Sequence, residues 1–380
     1  MRKIFVFFKK EIMLTVSLAA AIISLIITPP SFELLKDIDF RTLGTLFMML
    51  CVLEGFKKED IFRPVIRFAG RMKTMFSLSL FLVFSVFFSS MFVTNDVSLI
   101  IFVPLTIILF RLADKEKYIL PVISMENIAA VRGSMLMPFG SPQNLFLFGK
   151  SGKSVFEFAF HMMPLSALSG VLLCVFLITL YKKNINERIL IKSFDNDPDT
   201  IEPRKKQKIC YLILFSLIIL TIVSRTRFWY ISAIIVLLSV FVCDRSIYKK
   251  VDYILILTFF CFFVFSSSIA RNPAISVFLK NAVAGREYMW GILLSQLISN
   301  VPAAIVLYPF TENLSALLYG VDTAGLCSLI GSLASVINYR IYVREYPENG
   351  KKFIVTFTLI SWAFFAVVVL PGYFLSAWKI

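Results

Sequence analysis

Residues 92–105 read FVTNDVSLIIFVPL: an apolar run stops for Thr94-Asn95-Asp96, sets a carboxylate in the gap and turns apolar again at once. The rest of the chain decides how that gap is read. Its 380 residues are 58% hydrophobic, above the roughly 45–50% usual in soluble domains. Apolar runs of about 15–20 residues recur from Ile12 to Trp378, the length that crosses a hydrocarbon core of about 30 Å as helix. They do not alternate with period two, as the strands of an outer-membrane barrel would. The fold class is therefore an all-α polytopic membrane protein. Irregular backbone at membrane depth is tolerated only where it is buried in protein or lines a cavity, so Thr94-Asn95-Asp96 marks a place with a purpose.

The spans expected are 12–28, 41–56, 119–149 (interrupted), 156–180, 209–223, 228–243, 251–267, 323–342 (interrupted) and 352–376, with hairpins at 75–110 and 288–318. Residues 1–28 lack a clear small-x-small cleavage site before the next polar stretch and read as a retained first span. The cysteines at 51, 174, 210, 243, 261 and 327 lie in or beside apolar runs without a C-x-x-C pair, as small buried hydrophobes do. With the N-terminus in the cytoplasm, 28 of the 39 Lys and Arg residues fall on the cytoplasmic side, 10 outside and Arg132 within a span. That asymmetry predicts a multi-pass protein of the cell membrane with its C-terminus outside. The net charge of +15 is then a matter of topology, with a weak attraction to anionic lipid, and implies no nucleic acid.

The same layout repeats itself with reversed orientation. Residues 1–181 form a first repeat whose hairpin 75–110 opens to the cytoplasm. Residues 182–227 are a basic cytoplasmic loop and a linking span, and residues 228–380 form a second repeat whose hairpin 288–318 opens outside. Inverted-topology repeats of this kind build many secondary transporters. Residues 288–310 would make about 35 Å of helix, against about 60 Å for two crossings, so the second hairpin is expected to turn round inside the membrane. Symmetry extends re-entrance to the first.

Four breaks pair across the repeat: the tips Thr94-Asn95-Asp96 and Ser299-Asn300-Val301-Pro302, and the interruptions around Gly140-Ser141-Pro142-Gln143-Asn144 and Gly331-Ser332. Asp96 or Asn95 would cap a half-helix from Val97, and Ser299 or Asn300 one from Val301, with Pro302 in its first turn. Pro142 and Gly140 would stop one half-helix and Asn144 start the next. Helix N-termini meeting at the midplane suit an anion, while freed carbonyls and Asn side chains suit Na⁺. Asp96 reads as an N-cap or as a proton or cation ligand. Arg132 is a poor face match for Glu126 and reads as the counter-charge of Asp96 or as a fork for an anionic substrate. Asn95, Asn300, Asn144 and Gln143 read as interhelical hydrogen bonders or ligand contacts, and His161 as an interface residue. GKSGKS at 149–154 lacks the first glycine of a phosphate loop. One His and no recognisable catalytic set speak against an enzyme. A passive channel would need a continuous polar pore.

The stretches VTNDVSLIIFVPL, GSPQNLFLF and SQLISNVPAAIVLYPF resemble signatures of the citrate-transporter-like permeases, in the ion-transporter superfamily with the divalent-anion:sodium symporters, arsenite permeases and a sodium/proton antiporter branch. The likeness runs from about Asp39 to Tyr342. It implies that Thr94, Asn95, Ser299, Asn300, Ser141 and Asn144 stand at substrate positions, while Arg132 joins them on its own charge and planar fork, the family pattern having Leu there. It implies further that Asn95, Asn300, Gly140, Gly331 and Ser332 serve the coupling cation, with Na⁺ at Asn95 and Asn300; Asp96, where the family has Thr, joins them as a carboxylate able to take a proton or cation. Where the dicarboxylate branch has Ser-Asn-Thr tips, this chain has Thr94-Asn95-Asp96 and Ser299-Asn300-Val301. Val131, Arg132 and Met137 replace Asn, Leu and Thr of the related AANLGSMLTP. The expectation is a secondary active transporter moving a small anion, a di- or tricarboxylate or an inorganic oxyanion, coupled to Na⁺ or H⁺ and without a further cofactor. The alternative is a sodium/proton antiporter or arsenite-type permease. The resemblance also implies a homodimer and elevator-type motion.

Overall fold

A computed structural model describes residues 11–30, 32–69, 71–189 and 205–378. The cations Arg2, Lys3, Lys9 and Lys10, and residues 190–204 of the basic loop, lie outside the described residues. The described chain is helical, and among these residues the only β pairing is an isolated bridge between Thr74 and Arg188.

The helices are α1 (Ile12–Ile27), α2 (Phe32–Asp37), α3 (Phe40–Lys58), α4 (Arg63–Ala69), α5 (Met75–Val93), α6 (Asn95–Leu112), α7 (Ile119–Ser134), α8 (Pro142–Ser151) and α9 (Val155–Tyr181). After the loop come α10 (Lys205–Ser224), α11 (Trp229–Cys243), α12 (Tyr253–Arg271), α13 (Pro273–Val283), α14 (Glu287–Ile298), α15 (Asn300–Leu307), α16 (Leu314–Ala324), α17 (Leu333–Glu345) and α18 (Gly350–Ser376). Among the described residues six of them, α5, α6, α9, α10, α12 and α18, are long and apolar enough to cross a membrane. Exposed side chains on α9 and α18, such as Phe156, Phe160, Leu359 and Leu370, are large and apolar, the surface a bilayer covers. This is an all-α polytopic membrane protein.

Local chemistry sets the ends of the outer helices. Asp39 caps α3 through the Thr42 N–H at 2.9 Å, and Asp252 caps α12 through the Leu255 N–H at 2.9 Å. Thr74 with Ser77, and Ser154 with Glu157, form capping boxes on α5 and α9. Each satisfies orphan amide donors of a first turn.

The second hairpin is shorter than its sequence indicated, ending at Phe310, and the interrupted span begins at Leu314 rather than at residue 323. The polar triplet Thr311-Glu312-Asn313 is the boundary. Glu287 Oε1 accepts the N–H groups of Glu312 and Asn313, both at 3.1 Å, and so ties the end of the hairpin to its start. Asn313 then caps α16. The arms α14 and α15 have 12 and 8 residues, about 18 and 12 Å of helix, short of a crossing. The arms α5 and α6 have 19 and 18 residues, about 28 and 27 Å, close to one.

Packing sorts the helices into two groups, each drawn from both halves of the chain. In one, α1 packs on α12, and α3 on α10, α11 and α12. In the other, α7 packs on α5, α6, α9 and α18, while α16 packs on α14, α15 and α18. The groups meet through α12 on α15, with Ser266 Oγ donating to Ile305 O at 2.8 Å, and through α3 on α8. Ion pairs between elements stay on one side of the expected layout: Lys58–Asp244, Arg111–Glu345 and Lys115–Glu187 on one, Lys150–Asp39, Arg271–Asp37 and Lys280–Glu312 on the other.

Candidate functional site

Each hairpin turns on a single residue. Thr94, between α5 and α6, has φ 72° and ψ 153°, and Ser299, between α14 and α15, has φ 71° and ψ 160°. That backbone region is used almost entirely by glycine and costs any other residue of order 1–3 kcal/mol. Because the reversal takes one residue, the second arms start at Asn95 and Asn300, two and one positions before the expected Val97 and Val301. The expected caps are not made: Asp96 caps nothing, and Asn95 Oδ1 instead accepts the N–H of Asp96 at 2.9 Å. Pro302 falls in the first turn of α15, as the sequence indicated.

The two interruptions are built alike. Ser141 before α8 has φ −152° and ψ 152°, and Ser332 before α17 has φ −147° and ψ 139°. Asn144 therefore lies inside the first turn of α8 and does not start it. A Cβ on Gly140 would stand 2.2 Å from Ser134 O, and one on Gly331 would stand 2.4 Å from Ala324 O. Those carbonyls belong to the last residues of α7 and α16, so each loop folds back onto the end of its own half-helix, which only glycine permits. The tips attach to these loops. Asn95 N–H donates to Gly140 O at 3.3 Å. On the other side Gln296 Nε2 donates to Ala324 O at 3.2 Å, Ser328 Oγ donates to Gln296 Oε1 at 2.7 Å, and Gly331 N–H donates to Ser328 Oγ at 3.2 Å.

At all four sites the residue before the half-helix carries a hydroxyl: Thr94, Ser141, Ser299 and Ser332. These are favoured N-cap residues, yet none makes the side-chain bond to its own helix. At the first tip the Asn95 and Asp96 amides are taken by Gly140 O and Asn95 Oδ1, and Ser299 Oγ reaches Asn300 Oδ1 at 3.5 Å; elsewhere in these first turns the cap bond is left unmade.

Between the interruptions lies a buried charged centre. Arg132 is fully buried, and Asp322 is 1% exposed. Arg132 Nε donates to Ser169 Oγ at 3.0 Å, near the middle of the 27-residue α9, and Nη1 donates to Asp322 O at 3.2 Å, while Nη2 has no partner. Gln143 Nε2 donates to Asp322 Oδ1 at 3.0 Å. Asn144 in one amide orientation makes only long contacts, to Ser134 O and Met135 O at 3.4 and 3.3 Å. In the other it donates to both Asp322 carboxylate oxygens at 3.1 Å. We favour the second, since it supplies the carboxylate with donors. It also leaves the Asn144 amide oxygen facing two carbonyl oxygens, a grouping that suits a cation.

Arg132 thus stands against Asp322, not Asp96 as one sequence reading had it. The two helices that bring Arg132 and Asp322 together, α7 and α16, are far apart in the chain. Asp96 Oδ1 is buried and unpartnered. Hydrogen bonds run from the first tip through Gly140 to its loop, and from the second tip helix through Gln296 to the other. Asp322, on α16, bonds to α8 and joins the two halves. Sequence reasoning missed Asp322 and Gln296. Asp322 was excluded by starting the span at 323, although a lone carboxylate in LLYGVDTAGL was signal enough. His161 pairs with Ser315 Oγ at 2.7 Å, an interface bond. A cavity of about 400 Å³ between the two helix groups is lined by Lys36, Asp37, Phe146, Lys150, Ser266 and Tyr308 among others.

Residues 4–331 match the citrate transporter family, CitMHS. The chain belongs to the citrate transporter family. An uncharacterized transporter of Methanocaldococcus jannaschii is 29% identical over 350 residues, covering 91% of this chain and 92% of that protein. The inner membrane protein YbiR of Escherichia coli is 29% identical over 348 residues, covering 89% and 88%. Membership of the citrate transporter family makes the chain a multi-pass membrane transporter, and the tips and interruptions described above lie within the matched residues save Ser332, one residue beyond the match.

Proposed function

We propose that the chain is a secondary active transporter that carries a small anion, a di- or tricarboxylate or an inorganic oxyanion, coupled to Na⁺ or H⁺. The observation that carries this reading is the set of four hydroxyl residues, Thr94, Ser141, Ser299 and Ser332, that precede half-helices without capping them. Helix N-termini without side-chain caps favour negative charge, and the unpartnered Arg132 Nη2 adds a donor for it. Carbonyls freed at the interruptions, with Asn95, Asn300, Gly140, Gly331 and Ser332, take the cation. The paired conformations of tips and loops support an inverted repeat, with 1–181 and 228–380 as its halves and 182–227 as the link. The group carrying the hairpins then moves against the group of α1, α3, α10, α11 and α12, in a homodimer with its N-terminus in the cytoplasm and its C-terminus outside.

The experiment is uptake of citrate, succinate, sulfate and arsenite into proteoliposomes under imposed Na⁺ or pH gradients. Saturable, gradient-driven accumulation of one anion is expected, with a raised KM in Ser332→Ala. Non-saturating flux indifferent to both gradients would exclude the carrier. A second reading, sodium/proton exchange or arsenite-type transport, draws on two carboxylates, Asp322, which is buried, and Asp96, whose Oδ1 is buried and unpartnered. It predicts Na⁺ flux against a pH gradient with no organic anion present.

A further inference from the structure

A second polar cluster lies about 9 Å along α7 from Arg132, by the rise of a helix over six residues. Glu126 and Asn127 on α7 and Asn338 on α17 are each 0% exposed. Thr106 Oγ1 of α6 donates to Glu126 Oε1 at 2.5 Å. Asn127 Nδ2 donates to Ser335 Oγ at 3.0 Å, and Asn338 Nδ2 donates to Ile123 O at 2.7 Å. These last two bonds hold one turn of α7 and one turn of α17 face to face, and α6 packs on both.

The bonds use donors and leave acceptors. Glu126 Oε2, Asn127 Oδ1 and Asn338 Oδ1 are all buried without a hydrogen-bond partner. Among the described residues no Lys or Arg pairs with Glu126. A buried carboxylate without compensation is costly, and in a membrane helix it marks function. A proton on Glu126 Oε2 would make that atom a donor for one of the two amide oxygens and leave the other amide oxygen unanswered. A hard cation accepts several oxygen ligands at once and answers all three.

We propose that the seam of α6, α7 and α17 binds one monovalent cation, Na⁺, through Glu126, Asn127 and Asn338, with the hydroxyls of Thr106 and Ser335 beside it. This site is separate from the tips and interruptions. It rests on the transporter reading only for its role as a coupling site, not for its existence.

The test is equilibrium binding of ²²Na⁺ to the purified full-length protein, with choline replacing sodium. Glu126→Gln and Asn338→Ala are each expected to remove one class of Na⁺ sites or weaken it at least about tenfold. Gly149→Ala, on α8 with nothing within 4 Å of the added carbon, is expected to retain that class. Asn338→Asp, which adds a second carboxylate, is expected to tighten it and serves where Glu126→Gln fails to fold. Wild-type stoichiometry and affinity in both loss variants, or a wild type that takes up protons but no Na⁺, would overturn the proposal. A wild type that moves no anion, with the Na⁺ class still lost in Glu126→Gln, would overturn the transporter reading alone.

Discussion

Thr94 and Ser299 share one backbone conformation, φ/ψ of 72°/153° and 71°/160°, at the turning points of the two hairpins. Strain of the same kind at both tips, in a region that glycine enters freely, is the mark of a constraint set by function. Thr94→Gly and Ser299→Gly should each relieve more strain than the added chain entropy costs, a net gain of about 1 kcal/mol. The thermal midpoint in detergent should rise while transport falls, because the hydroxyl is gone. A lowered midpoint would show that the hydroxyls hold the tips together instead.

Arg132 and Asp322 test the buried centre. Removing either leaves the other charged and buried, at a cost of about 3–5 kcal/mol. Arg132→Met with Asp322→Asn should therefore cost less than the sum of the single changes, with a coupling above about 1 kcal/mol. A double-mutant cycle in chemical denaturation measures it, and additivity would separate the two residues.

The glycines that close the interruptions make the sharpest steric test. Gly140→Ala and Gly331→Ala put a methyl within 2.2 and 2.4 Å of a backbone carbonyl, and overpacking of that kind costs about 1–3 kcal/mol. Gly149 has nothing within 4 Å, so Gly149→Ala, inside α8, should be neutral or stabilising by up to about 1 kcal/mol. Thermal midpoints of the three variants give the answer.

Much of this was legible in the residues. Thr94-Asn95-Asp96 and Gly140-Ser141-Pro142 stood out because polar and helix-breaking residues have no cheap place in lipid. The apolar runs around them had little choice but to be helices. Asp322 was obscured because α14, α15 and α16 run on with few polar residues, and only the tertiary bond from Glu287 to residues 312 and 313 reveals where one element stops. The partner of Arg132 was out of reach for a related reason. Asp96 was the carboxylate in view, whereas Arg132 meets Asp322 across 190 residues of chain, a proximity that no local spacing records. Gln296 looked like one polar residue on an apolar helix until its amide was found bonded to the second interruption.

Asp96 offers a separate prediction on coupling. Its Oδ1 is buried and unpartnered, so Asp96→Asn removes a proton acceptor while keeping shape. Accumulation driven by an acid-outside gradient should be lost in this variant, with Na⁺-driven accumulation retained. The readout is uptake under each gradient separately, and an unaltered response to pH would assign the proton elsewhere.

Arg132 reaches Ser169 near the halfway point of α9 and holds the Asp322 carbonyl from there. Opposite charges thus sit on helices of the same packed group. Membrane voltage does about 2.3 kcal/mol of work per elementary charge per 100 mV, but on a couple that travels as one the two contributions cancel. In the movement proposed for this group, the pair would therefore add no net gating charge, and current accompanying turnover would have to come from other groups or from the transported ions.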